Sequence, residues 1–185
     1  MRSTLRLIKL LTFVAGVMLP MFTRSDAPLL NYIEYDTKLA SSGQPTESQF
    51  AAVADAGVER VFYLAFADDD GALLNEDRIV RDLGMQFIHI PVIWQQPEVR
   101  DFDVFAAALA QSEDQKNLVH CQVNWRASSF VFLYRVLHQG IPIDEAYVDM
   151  RSAWSPNETW QDFIFQVLAA NNVSPECDLC EWNNT

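Results

Sequence analysis

Positive charge is scarce in this chain. Lys and Arg together number 13 against 25 Asp and Glu, a formal net charge of −12, and this excludes nucleic acid as a partner, since neutralising phosphates needs clustered Lys and Arg. Nor can so acidic a chain draw in free polyanions over distance, so chemistry on a phosphate has to rely on a local positive pocket. Cysteine is scarce too, limited to Cys121, Cys177 and Cys180. Cys177-Asp178-Leu179-Cys180 is a single CxxC with no second CxxC or CxxH near it, so neither zinc nor any other metal is expected. A structural disulfide and a redox pair cooperating with Cys121 both remain open for it, and the disulfide would leave Cys121 as the free thiol. No cofactor is expected. The apolar run from Leu10 to Phe22 falls short of the roughly 20 residues that a membrane span needs.

That run has the layout of a secretory signal. Arg2, Arg6 and Lys9 precede it, Pro20 lies near its end, and Arg24, Ser25 and Asp26 follow. Ser25-Asp26-Ala27 offers small residues for a cut, but Pro28 would follow that cut. Residues 1–27 are therefore read as a signal peptide or an uncleaved N-terminal anchor, and membrane contact is expected only in the second case. Either reading puts the rest of the chain outside the cytoplasm, periplasmic or secreted. With 185 residues, half of them apolar, the chain can build one cored domain, expected over 28–170, with a tail over 171–185 that holds the CxxC.

Strand and helix patterns alternate along that domain. Leu39 to Ser42 reads as a short strand and Gly43-Gln44-Pro45 as a turn. Thr46-Glu47-Ser48-Gln49 has the form of a capping box, opening a helix that buries Phe50, Val53 and Ala54 and stops at Gly57. Arg60 to Phe66 is β-rich and too apolar to be half exposed. Asp68-Asp69-Asp70-Gly71 reads as a solvated loop, and Asn75 to Leu83 as a charged helix with Ile79, Val80 and Leu83 inward. Gln86 to Val92 is expected to be a buried strand, with His89 a satisfied core histidine. Phe102, Phe105, Ala106 and Leu109 share one apolar helix face. Leu118 to His120 is a further strand, and a helical pattern runs from Ser128 to Gln139. Pro142 to Met150 suggests a short helix, and Ser155-Pro156-Asn157-Glu158 starts a last one, capped at Ser155 and running to about Ala170. This alternation predicts an α/β fold: a mostly parallel, four- to five-stranded central sheet with helices on both faces.

The chemistry concentrates in Leu118-Val119-His120-Cys121-Gln122-Val123-Asn124-Trp125-Arg126. A buried strand ends in a cysteine, a short loop follows, and an arginine opens a helix. Backbone N–H groups converge at such a junction and the helix dipole favours negative charge. A free thiol titrates at about 8.5, and helix N-termini with cationic neighbours bring it to roughly 3.5–7.5. Cys121 is thus a candidate nucleophile, and Arg126 offers a planar fork for two oxygens of a phosphate, sulfate or carboxylate. Asn124 stands mid-loop where glycine would be expected, and asparagine is among the residues most tolerant of positive φ. Ligands of such sheets bind at the carboxyl ends of the strands, where Cys121 falls.

Ser42-Gly43-Gln44-Pro45, the strand near Val61, Ile90-Pro91-Val92, and His120-Cys121 followed by Arg126 together resemble the tyrosine-phosphatase-like domain of beta-lactamase-hydrolase-like proteins, a branch of the dual-specificity phosphatase fold. The resemblance spans roughly Lys38 to Tyr147. It implies a phosphatase-like fold, Cys121 as nucleophile, Arg126 as anion clamp, and loop residues His120, Gln122, Val123, Asn124 and Trp125 around a phosphorylated or other small oxyanionic substrate. Tyrosine and dual-specificity phosphatases place five residues between cysteine and arginine, and this chain has four, a spacing shared with rhodanese-type sulfurtransferases. Ala127 stands where Ser or Thr commonly assists the leaving thiolate, with Ser128 and Ser129 as substitutes. The aspartate that protonates the leaving oxygen is replaced by Ile93-Trp94, so Glu98 or Asp101 is expected as the acid. His120 is read as a support for the loop, and Trp94 and Trp125 as a pocket wall. The expected activity is a cysteine-dependent phosphatase working through a Cys121 thiophosphoryl intermediate. The alternatives are a rhodanese-like sulfurtransferase with a Cys121 persulfide and a non-catalytic phosphate-binding module.

Overall fold

A computed structural model describes residues 28–182. Its sheet contains β1 (Ile33–Glu34), β2 (Leu39–Ser42), β3 (Arg60–Tyr63), β4 (Gln86–His89) and β5 (Asn117–His120). They lie in the order β1-β2-β5-β3-β4, with β1 antiparallel to β2 and every other pair parallel. The α/β fold with a mostly parallel sheet is the one expected from the alternation of patterns. The central place goes to β5, which is buried at all four positions and delivers Cys121 to the carboxyl edge of the sheet.

The helices are α1 (Glu47–Asp55), α2 (Glu76–Asp82), α3 (Val99–Ala110), α4 (Trp125–Leu137), α5 (Ile143–Ala153) and α6 (Glu158–Ala170). Successive strand side chains point to opposite faces, and β5 shows the consequence. Leu118 joins Ala40, Val61, Phe50, Val53 and Val80 in the core under α1 and α2, whereas Val119 joins Phe62, Phe102, Phe105 and Phe130 in the larger core beneath α3, α4 and α6. The capping box of α1 forms as expected: Thr46 Oγ1 accepts from Gln49 N, and Gln49 Oε1 accepts from Thr46 N.

Several local expectations shift. The last helix starts two residues after Pro156, with Asn157 as its cap, because Asn157 Oδ1 accepts from Trp160 N. α4 begins at Trp125, three residues before the expected start, so Arg126 lies in its first turn. β4 is an edge strand with exposed ends, not a buried one. His89 is accordingly exposed, although its Nε2 lies 2.7 Å from Ala65 O. Leu83, the C-cap of α2, is 38% exposed, whereas Glu76 at the start of that charged helix is buried.

Cys177 and Cys180 are joined by a disulfide, and Cys121 is the free cysteine. The disulfide loop is fastened to the domain: Leu179 N donates to Asp144, and Trp182 packs against Phe132, Tyr147 and Phe165. No helix among the described residues is long and apolar enough to cross a membrane, and the leader read in residues 1–27 lies outside them.

Candidate active site

Cys121 follows β5 directly and lies at 1% exposure, its N–H donating to Ser42 O. The loop that follows is held by chain segments distant in sequence. Gln44 N donates to Gln122 O at 2.9 Å, and Gly43 pairs with Val123 in an isolated bridge. A Cβ at Gly43 would stand 2.9 Å from Gln122 O, so glycine is what lets the Gly-Gln-Pro turn lie against the cysteine loop. On the other side, Asn31 Nδ2 donates to Val123 O, and Asn124 Nδ2 donates to Asn31 O at 2.6 Å. Asn124 has φ 71°, the left-handed conformation anticipated for the residue in the glycine position, and caps α4.

The loop's carbonyls are taken up by these braces, and the first N–H groups of α4 have no intrahelical partner. Ser128 Oγ donates to Asn124 O and Ser129 Oγ to Trp125 O, so both hydroxyls serve the start of the helix.

Arg126 is 5% exposed. Its Nη1 donates to Gln122 Oε1 at 3.0 Å, its Nη2 lies 3.5 Å from Asp69 Oδ2, and its guanidinium carbon sits 5.4 Å from the centre of the Trp94 ring. Its Nε is buried without a hydrogen-bond partner among the described residues. A guanidinium desolvated between an aromatic face and loose polar contacts is a fork available to an oxyanion.

Beneath the cysteine, His120 is fully buried. It stacks on Tyr63 at 4.7 Å and meets the edge of Phe50. His120 Nε2 lies 2.9 Å from Glu76 Oε1, close enough for an ion pair but outside good hydrogen-bond geometry. Glu76 Oε2 accepts from Gln44 Nε2 at 2.5 Å. A chain of polar contacts thus runs from the Gly-Gln-Pro turn through Glu76 to the residue before Cys121. Desolvation by burial, reinforced by the negative charge of Glu76, pushes the Tyr63 phenol well above its usual range. It therefore stays protonated and donates to Phe66 O. Replacing Glu76 with alanine leaves Gln44 Nε2 without its acceptor and His120 without the carboxylate that faces it. The expected cost is about 1–3 kcal/mol, read from the urea midpoint, and an unchanged midpoint would mean the chain of contacts contributes nothing.

The cleft over the cysteine measures about 450 Å³ and is lined by Asp69, Asp70, Trp94, Gln95, Cys121, Gln122, Val123, Trp125 and Arg126. Trp125 stacks on Trp154 at 5.1 Å with the rings 5° from parallel, and Trp94 leans on Trp125, Trp154 and Trp160. Of the residues expected at the site, Cys121, Gln122, Val123, Trp125 and Arg126 line the cleft, while His120 and Asn124 lie beneath and beside it.

Glu98 and Asp101 are not among the lining residues. They form the capping box of α3, with Glu98 N donating to Asp101 Oδ2, and Glu98 also pairs with Arg100. Asp69 and Asp70, read from sequence as a solvated loop, line the cleft instead. Three participants escaped sequence reading. Asn31 lies outside any motif, Asp69 sits in an acidic run that resembles surface, and Glu76 looks like an ordinary first-turn acid of an exposed helix. In the Gly-Gln-Pro turn the motif itself was visible, but its partner was not.

A buried cysteine at the end of a central parallel strand, a braced loop, and an arginine in the first turn of the next helix define the dual-specificity phosphatase class of α/β fold. The chain belongs to the PTP-NADK family, described as DSP-PTPase phosphatase fused to NAD+ kinase, whose model matches residues 22–165. Among solved structures, it is similar to a phosphatase-like DUF442 protein from Shewanella putrefaciens CN-32, at 33% identity over 77% of this chain and 91% of that one, with a TM-score of 0.70. Tk-PTP shares 18% identity over 74% of this chain and 95% of its own, with a TM-score of 0.64. A protein from Neisseria meningitidis Z2491 shares 19% over 75% and 99%, with a TM-score of 0.61. The last two likenesses show the fold alone. No curated protein matches the chain.

Proposed function

We propose that this domain is a cysteine-dependent phosphatase acting on phosphomonoesters of the phosphotyrosine or dual-specificity kind. The observation that carries the reading is the free Cys121 on the floor of a cleft whose only lining cation among the described residues is Arg126, at the start of α4. The thiolate of Cys121 attacks phosphorus, the N–H groups at the start of α4 and the Arg126 fork hold the equatorial oxygens, and water later releases phosphate from the thiophosphoryl cysteine. Trp94 and Trp125 supply flat apolar walls, which favour an aryl group on the ester. Membership of a DSP-PTPase family supports phosphoryl chemistry over sulfur transfer. We also place the domain outside the cytoplasm, on the leader-like residues 1–27 and on the Cys177–Cys180 disulfide, a bond that persists in oxidising compartments.

The test is alkylation of Cys121 with iodoacetamide, with and without inorganic phosphate, in parallel with turnover of an aryl phosphate. Protection by phosphate together with turnover is expected. Protection without turnover would reassign the domain as a phosphate-binding module, and a persulfide on Cys121 after thiosulfate would reassign it to sulfur transfer.

A further inference from the structure

We propose that Asp69, from the loop between β3 and α2, is the proton donor and acceptor of this phosphatase site; the inference rests on the phosphatase reading above. The position after β4 where related phosphatases hold the acid contains Ile93-Trp94-Gln95-Gln96 and no carboxylate. That segment is committed otherwise: Trp94 O accepts from Trp160 Nε1 at 3.1 Å, and its ring covers the Arg126 guanidinium. The carboxylates lining the cleft are Asp69 and Asp70. Asp69 is the one that touches the anion clamp, its Oδ2 standing 3.5 Å from Arg126 Nη2.

Asp69 is also built into place. Its N–H donates to Phe66 O at 3.1 Å, and Phe66 N donates to its Oδ2. Phe66 O accepts a second bond from the buried Tyr63 hydroxyl, and Gln122 Nε2, from the cysteine loop, donates to Asp70 O at 3.2 Å. The acidic loop is thereby tied to the cysteine loop through Gln122, beside the Asp69–Arg126 contact. A carboxylate 3.5 Å from one arm of the fork borders whatever the fork holds. A phosphoryl group that takes over Arg126 displaces Asp69 from the guanidinium and leaves it beside the ester oxygen.

The chemistry closes without an added reagent. As the S–P bond forms, the P–O ester bond breaks, and the departing oxygen keeps the electron pair and takes the proton of Asp69. Water then attacks phosphorus and gives a proton to the Asp69 carboxylate. The P–S bond breaks, and Cys121 leaves as thiolate with inorganic phosphate released.

The experiment measures kcat/KM of the full chain and of Asp69→Asn, which preserves size, over aryl phosphates whose leaving phenols range from strongly to weakly acidic. General acid help is typically worth about 10²–10⁴-fold. A loss in that range is expected for phenyl phosphate, shrinking to under about 10-fold for a dinitrophenyl ester whose leaving group needs no proton. Phosphate protection of Cys121 from alkylation in Asp69→Asn shows that the clamp survives. A loss equal across the series would make Asp69 a positioning residue for Arg126 and overturn the proposal. So would a steepened series in Glu98→Gln or Asp101→Asn with Asp69→Asn unaffected. Absence of turnover by the unsubstituted chain would instead fail the phosphatase reading itself, and this inference with it.

Discussion

Replacement of Cys121 by serine lowers aryl phosphate turnover by about 10⁴-fold or more in our expectation, with the fold and phosphate binding retained. The size follows from what the sulfur does. A serine hydroxyl holds its proton at neutral pH, and Asp69 is the proposed proton donor of this step, not a base for it. His120 lies beneath the loop, packed between Tyr63 and Phe50 with Glu76 at its Nε2, and Ser128 and Ser129 spend their hydroxyls on helix carbonyls. Binding is expected to survive because the proposed grip on the oxygens is that of Arg126 and the α4 amides, not of the sulfur. Equilibrium dialysis of phosphate against the variant checks that half of the expectation. Turnover within 10-fold of the unsubstituted chain would remove Cys121 from the reaction.

Trp160→Ala is expected to be the most destabilising single change in the cleft's support, by about 3–5 kcal/mol. Trp160 is fully buried in α6. It meets Trp94 at 5.1 Å, Phe163 at 5.4 Å and Phe130 at 6.2 Å, and its Nε1 is the donor that fixes Trp94 O. Truncation leaves a cavity beside Trp94, Phe130 and Trp154 and frees the ring that covers Arg126. A higher KM for aryl phosphates should therefore accompany the lower urea midpoint. Trp160→Phe fills most of the space and loses only the hydrogen bond, so it should lie between the two. A loss under about 1 kcal/mol in Trp160→Ala would mean that the site collapses easily and that the aromatic cluster is not a rigid wall.

The parts of this molecule that were legible in advance are those written in contiguous residues. The capping box at Thr46 and Gln49 was readable because both bonds close within one turn, and the apolar face of α3 because its period repeats over four buried positions. The strand–Cys121–Arg126 junction was readable for the same reason: strand pattern, loop and helix follow one another without a break. Errors fell where two local signals competed, as at α6, where Ser155 and Asn157 both offered a cap and the bond to Trp160 N decided for Asn157.

What the order of residues determined by itself was the α/β alternation, the place of Cys121 at a strand's carboxyl end, and the left-handed asparagine that lets the loop turn. These depend on torsional preference and hydrophobic period, which act over a few bonds. Only the folded chain decided that Glu76 is buried under His120, that Asn31 holds the loop from some ninety positions away, and that an acidic stretch resembling surface lines the cleft. Strand order in a parallel sheet is set by crossovers between distant segments, and burial of a carboxylate depends on which partners those crossovers bring to it. Neither quantity is a property of any short window of sequence.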